Sequence, residues 1–148
     1  MSQYRERLSP SLWVFVATAL VIPASIIVFA PLNAVPGVLV GTVVGIVLYL
    51  GSVAVLFATA PVIEVSKGVL HVGRAQIPLA MLGEVEGFEG AEATLERGRR
   101  LDARAWLCIR GWVTPVVKMR IADPQDPTPY WLVSTRRPGD LIDAVTVR

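Results

Sequence analysis

A chain of 148 residues with 14 Lys/Arg, 12 Asp/Glu and one histidine carries a net charge of only +2, and 53% of its residues are hydrophobic. The charges are unevenly spread: residues 8–63 hold no Asp, Glu, Lys, Arg or His, and the part beyond them balances 12 basic against 11 acidic side chains. That balance excludes a nucleic-acid binder, which concentrates its basic excess, and a single cysteine, Cys108, excludes an intramolecular disulfide or a multi-cysteine metal site.

Residues 1–11 read as a short basic cytoplasmic tail. The uncharged stretch after it is long enough for two helical crossings of a bilayer, each needing roughly 20 apolar residues. The first span is expected over 12–30 and the second over 37–60, joined by a proline-bracketed turn over 31–36. Only helices satisfy their backbone groups internally at that depth. Pro23 should kink the first helix, and Trp13 sits where an indole marks the membrane interface. Val28-Phe29-Ala30 before Pro31 is a poor cleavage site, which argues against a removed signal peptide. Arg5 and Arg7 precede the first span and Lys67 follows the second, while the turn has no charge. The positive-inside rule then places both termini in the cytoplasm, as expected of a multi-pass protein of the cell (inner) membrane.

Gly37, Gly41 and Gly45 recur every four residues of the second span. They present one face that a neighbouring helix can approach closely. That neighbour is either the first helix of the same hairpin, a second copy of the chain, or another membrane protein. Neither span holds an ionisable residue, so a proton relay or ion pathway has nothing to work with.

From Pro61 onward, residues 61–148 read as a soluble domain. Residues 62–66 and 69–72 flank Lys67-Gly68 as a β-hairpin. Residues 76–79 make a short third strand that Pro78 confines to an edge or an end, and 82–88 makes a fourth with Glu84 and Glu86 on its wet face. Residues 91–104 lack strand character, with one helical turn at 93–97. Strands follow at 105–110, 116–122 and 130–135, the second showing Val117, Met119 and Ile121 on one face and Lys118 and Arg120 on the other. Pro138 is placed to start a C-terminal helix whose apolar stripe is Leu141, Ile142 and Val145. The expected fold class is therefore an α+β membrane protein. A two-helix transmembrane hairpin leads into a small antiparallel β-barrel of about seven strands with a C-terminal helix, a pleckstrin-homology (PH)-like plan.

The run from Asp123 through Pro124, Pro127, Pro129, Tyr130 and Trp131 to Thr135-Arg136-Arg137-Pro138 resembles the hallmark of an actinobacterial membrane family, domain-of-unknown-function family 3093. Tyr4-Arg5-Glu6-Arg7-Leu8 and the stretch from Leu101 to Trp112 are similar to it as well. The resemblance covers nearly the whole chain. It implies a two-span membrane protein with a cytoplasmic domain, and it supplies no catalytic residues and no cofactor.

The residues that carry chemistry give little purchase to catalysis. His71 stands alone among valines, without the ligand spacing of a zinc site or the Gly-x-Ser-x-Gly of a serine hydrolase. Asp123 and Asp126 each precede proline, a turn-building arrangement rather than a calcium loop. The candidate contact surface is cationic: Arg97, Arg99, Arg100 and Arg104, with Arg136 and Arg137 before the final helix. These arginines are either solvated and paired within the domain, turned to anionic lipid headgroups, or engaged with a protein partner. Tyr130 and Trp131 point to opposite faces of one strand, so only one is expected in the core. The other, with Trp131 as the candidate, is left for the bilayer interface or a partner. The function expected is that of a non-enzymatic, membrane-anchored interaction module. An accessory subunit of a membrane enzyme or transporter complex is the alternative, and a lipid-headgroup enzyme a further one.

Overall fold

The structure, a computed structural model, describes residues 4–31 and 34–146. The chain divides into two units: residues 9–60, and a second unit that joins the segment ending at Leu8 to everything from Pro61 onward.

The first unit is helical, with α1 (Leu12–Ala19), α2 (Val21–Phe29) and α3 (Ala34–Ala58). Leu12–Phe29 and Val35–Ala58 are each long and apolar enough to cross a membrane. Large apolar side chains point outward all round, among them Leu12, Val28, Leu39, Val47 and Leu50. The first helical stretch is interrupted at Leu20, directly after Ala19. Pro23 has no N–H to return to the Ala19 carbonyl, and its ring crowds that carbonyl, so the break falls where the missing bond would lie. The connection is shorter than the expected turn over 31–36. Helix α3 already begins at Ala34, with Pro36 in its first turn where an N–H has no helical partner anyway. Leu32 and Asn33 lie outside the described residues.

Among the described residues, the second unit holds eight strands in two four-stranded sheets. The first sheet is β1 (Tyr4–Arg7), β2 (Val62–Ser66), β3 (Val69–Val72) and β4 (Ala75–Pro78), antiparallel and in that order. Lys67 and Gly68 both have positive φ, the geometry a two-residue hairpin turn demands. A short 3₁₀ turn, Leu79–Met81, leads to the second sheet. It comprises β5 (Leu82–Phe88), β6 (Trp106–Cys108), β7 (Val116–Ile121) and β8 (Tyr130–Ser134), in the order β5-β7-β8-β6, with β6 parallel to β8. Helix α4 (Gly90–Arg97) follows β5, and α5 (Pro138–Thr146) ends the described chain.

Two expectations are corrected here. The first residues are not a tail: Tyr4–Arg7 pair with β2 as an integral strand. The strands also form two four-stranded sheets, one of them with a parallel pair, rather than a single antiparallel barrel of about seven. The added β1 completes the first sheet, while β4 stops at Pro78, which cannot donate to a continuing ladder.

The packing has three layers. The inner face of the first sheet, one face of the second and α5 share the larger core, built on Ile63, Leu70, Met119, Val133 and Leu141. Gly87 on β5 leaves the space that Pro138 and Ile142 of α5 occupy. The other face of the second sheet is covered by α4 and the segment after it, through Ala93, Val116, Tyr130 and Leu132.

Candidate functional site

Strand β1 alternates strictly: Tyr4, Glu6 and Leu8 turn inward, while Arg5 and Arg7 are exposed. A carboxylate is thereby carried into the core, where it needs donors. Glu6 finds them at the other end of the chain. The Tyr4 hydroxyl donates to Glu6 Oε2 at 2.5 Å and the Thr135 hydroxyl to the same oxygen at 2.6 Å. The Arg136 backbone N–H donates to Oε1 at 3.0 Å, and the Arg136 guanidinium lies 3.8 Å from that oxygen. Thr135 Oγ1 in turn accepts from the Arg137 N–H at 3.1 Å. The Arg137 guanidinium closes the arrangement, donating to the Arg5 carbonyl at 3.0 Å and lying 4.9 Å over the Tyr4 ring.

Burial first, and the Glu6 carboxylate second, push the Tyr4 phenol up to about 12; Thr135 and Arg137 pull the other way and lose. The phenol thus remains a donor across the physiological range. Chemically this cluster is closed, since both Glu6 oxygens already accept hydrogen bonds from protein groups. It is a fastening between the two ends of the chain, and it joins Tyr4-Arg5-Glu6-Arg7 to Thr135-Arg136-Arg137.

A second buried carboxylate, Glu96, is also committed. Lys118 Nζ stands 2.9 Å from one oxygen and Arg100 3.3 Å from the other. Burial alone would raise this carboxyl, but those two hydrogen bonds outweigh it and hold it below the usual carboxylate range. Lys118 additionally sits 4.5 Å over the Tyr130 ring.

The cationic candidates are consequently spent largely inside the domain. Arg100 also pairs with Glu92 at 2.7 Å, Arg104 with Asp102 at 3.1 Å, and Arg97 donates to the Val113 carbonyl at 3.4 Å. Arg99 is exposed. Arg136 and Arg137 belong to the fastening just described. Trp131 is corrected outright: it is only 7% exposed, its ring tilted 33° against that of Trp106 at 4.2 Å, and Tyr130 is equally buried at 6%. Both faces of β8 are core because α4 covers the second one. The Tyr130 hydroxyl accepts the Asp102 N–H at 2.8 Å.

Gly37, Gly41 and Gly45 are buried, and a side chain on any of them would strike the backbone of α2. At Gly41 it would lie 2.7 Å from the Ile26 Cα, and at Gly45 2.8 Å from the Ile22 Cα. The neighbour on this face is thus the first helical stretch of the same hairpin. Asp123 and Asp126 each accept a backbone N–H two residues on, from Gln125 and Thr128, and so build consecutive turns. His71 is half-exposed on the outer face of the first sheet, opposite Glu64 and Gln76. Among the described residues no three His, Cys, Asp or Glu side chains are grouped to hold a metal ion.

Sequence reasoning missed Glu6, Tyr4 and Thr135. The signal was present as the period-two alternation of Tyr4-Arg5-Glu6-Arg7-Leu8, obscured because its inward set includes a carboxylate. Comparison with known proteins gives one family: the model described as Protein of unknown function (DUF3093) matches residues 3–145. No curated protein and no solved structure matches the chain.

Proposed function

The chain belongs to the DUF3093 family, whose function is unknown, and from that premise we propose that it is a two-span protein of the cell (inner) membrane that holds a PH-like, non-enzymatic interaction domain at the cytoplasmic face. One observation carries this reading. The residues that lead into and out of the apolar helices are neighbours in one sheet: Arg7 pairs with Val62, and the Leu8 N–H donates to the Pro61 carbonyl at 3.0 Å. A chain that leaves a folded domain and returns to the same edge has both exits on one side of a membrane. The number of crossings must then be even, and two apolar helices supply two. Arg5, Arg7, Lys67 and Arg74 on the domain side, against an uncharged connection between α2 and α3, favour the cytoplasm for that side.

The interaction role rests on the state of the polar groups. Both buried carboxylates spend their oxygens on internal donors, and the domain's potential lies in its surfaces. The glycine face is filled by α2, so a membrane partner, including the larger complex of an accessory subunit, would have to use another face.

The test is topological. With Cys108 replaced by Ala, Asn33→Cys should react with a membrane-impermeant maleimide in intact cells, and Lys67→Cys only after permeabilisation. The full chain should stay with membranes through carbonate extraction. Labelling of Lys67→Cys from outside, or release by carbonate, overturns the reading.

A further inference from the structure

The register of the first sheet identifies the part of the domain that meets the bilayer. Strands β1 and β3 run towards, and β2 and β4 away from, the edge at which Leu8 and Pro61 are bonded. That edge gathers Arg7, at the end of β1, and Arg74, in the β3–β4 turn, where the Gly73 N–H donates to the Val62 carbonyl at 2.8 Å. Two further side chains are held against it. The Arg136 guanidinium donates to the Arg7 carbonyl at 3.4 Å, and the Trp112 indole N–H donates to the Leu8 carbonyl at 3.3 Å.

Arg7, Arg74 and Arg136 are exposed and Trp112 is half-buried. Residues 7–8, 61–62, 72–75, 110–113 and 135–137 include no acidic side chain, and the Glu6 carboxylate, 3.8 Å from the Arg136 guanidinium, is itself buried. Three residues separate Leu8 from Leu12 and two separate Ala58 from Pro61, so this rim is the part of the domain next in sequence to both apolar helices. A bilayer's headgroup layer adds about 5–8 Å to each side of its hydrocarbon. Guanidinium groups and an amphipathic indole are the side chains that such a layer retains.

We infer that Arg7, Arg74, Arg136 and Trp112 form a collar that seats the domain on the anionic phospholipid headgroups of the membrane its hairpin enters. This rests on the two-span reading and adds a partner to it. It also moves the lipid contact from Arg97, Arg99, Arg100 and Arg104 to the residues beside Leu8 and Pro61.

The experiment uses the full-length protein in neutral-detergent micelles, titrated with phosphatidylglycerol or phosphatidylcholine, with bound lipid counted by native mass spectrometry. Phosphatidylglycerol should be retained in preference, and the preference should fade at 0.5 M salt, a concentration chosen to shorten the Debye length to about 4 Å. The double variant Arg7→Gln/Arg74→Gln should lose roughly 25-fold in apparent affinity, at roughly fivefold per arginine. Arg99→Gln/Arg104→Gln should change nothing. Arg74→Gln alone, at a turn, should lose roughly fivefold and guards against a folding defect in the double variant. An unchanged affinity in these variants, or equal retention of the two lipids, while the protein still resists carbonate extraction, overturns the collar and leaves the membrane reading standing. Release by carbonate overturns both.

Discussion

Glu6 shows how much one residue can fix. The residue is only 8% exposed, and its carboxylate receives two hydroxyl donors and a backbone N–H from segments about 130 positions apart. Replacing it with Ala leaves the Arg136 N–H without a partner and leaves the Tyr4 and Thr135 hydroxyls, 2.9 Å apart, only one bond between them, at a cost of about 3 kcal/mol. Glu6→Gln keeps one acceptor but presents an NH₂ to groups that are themselves donors, and should cost about half as much. Thermal unfolding of the purified full-length variants, followed by tryptophan fluorescence, should rank them wild type, Gln, Ala. A Glu6→Ala protein as stable as the wild type would refute the fastening. Tyr4 adds a pH dependence of definite sign. Its folded value of about 12 stands above the ordinary 10.0, so its contribution is complete below pH 10 and is lost as pH rises towards 12. The loss amounts to about 3 kcal/mol by linkage. Tyr4→Phe should flatten that alkaline limb while lowering stability modestly at neutral pH, where the hydroxyl's bond to Glu6 is gone.

At the scale of single elements, much of the fold is written in local pattern. The β2–β3 hairpin around Lys67-Gly68, the strand ending at Pro78 and the helix starting at Pro138 all lie where turn chemistry and proline geometry put them. The helix break follows from Pro23, although it falls three residues earlier, at Leu20, because the lost bond belongs to the Ala19 carbonyl. Strand β8 departs from the expected alternation for a definite reason. The apolar run Tyr130-Trp131-Leu132-Val133 belongs to a strand covered on both faces. The cover, α4, is legible only as a single turn because its apolar side chains are just Ala91, Ala93 and Leu95. The helical hairpin makes a cleaner test of pattern against packing. Gly41→Ile must drive a branched side chain into the Ile26 backbone and should cost about 1–3 kcal/mol. Gly51→Ile, where an added Cβ meets nothing within 4 Å, should stay within about 0.5 kcal/mol of wild type. Equal losses of detergent-resistant thermal stability in the two would refute the close approach of α2 and α3.

The whole molecule has a property that no window of sequence could disclose: the β unit is discontinuous, with residues 9–60 inserted between two strands that pair with each other. Hydrophobic periodicity reports local elements and is silent on which distant strands become neighbours, so a four-residue strand ahead of a long apolar insertion looks like a tail. The consequence for stability is large. Tyr4 and Leu8 each bury apolar surface worth about 2–3 kcal/mol, and the Glu6 bonds add about 3. A domain of this size has a net stability of about 5–10 kcal/mol, so removing β1 takes most of it. Residues 61–148 alone should therefore fail to melt cooperatively and should aggregate through the exposed edge of β2. Because the Leu8 N–H reaches the Pro61 carbonyl, a short Gly/Ser linker can replace residues 9–60. The resulting chain, 1–8 joined to 61–148, should be a water-soluble monomer with a single unfolding transition. Adding Glu6→Ala to that fusion should lower its midpoint, whereas the same substitution has no counterpart in 61–148. If 61–148 melts as cooperatively as the fusion, β1 is an ornament and the apolar segment is an appendage rather than an insertion. If only the fusion folds, assembly of the domain must await synthesis of the whole apolar segment, and the strand made first must wait for its partner.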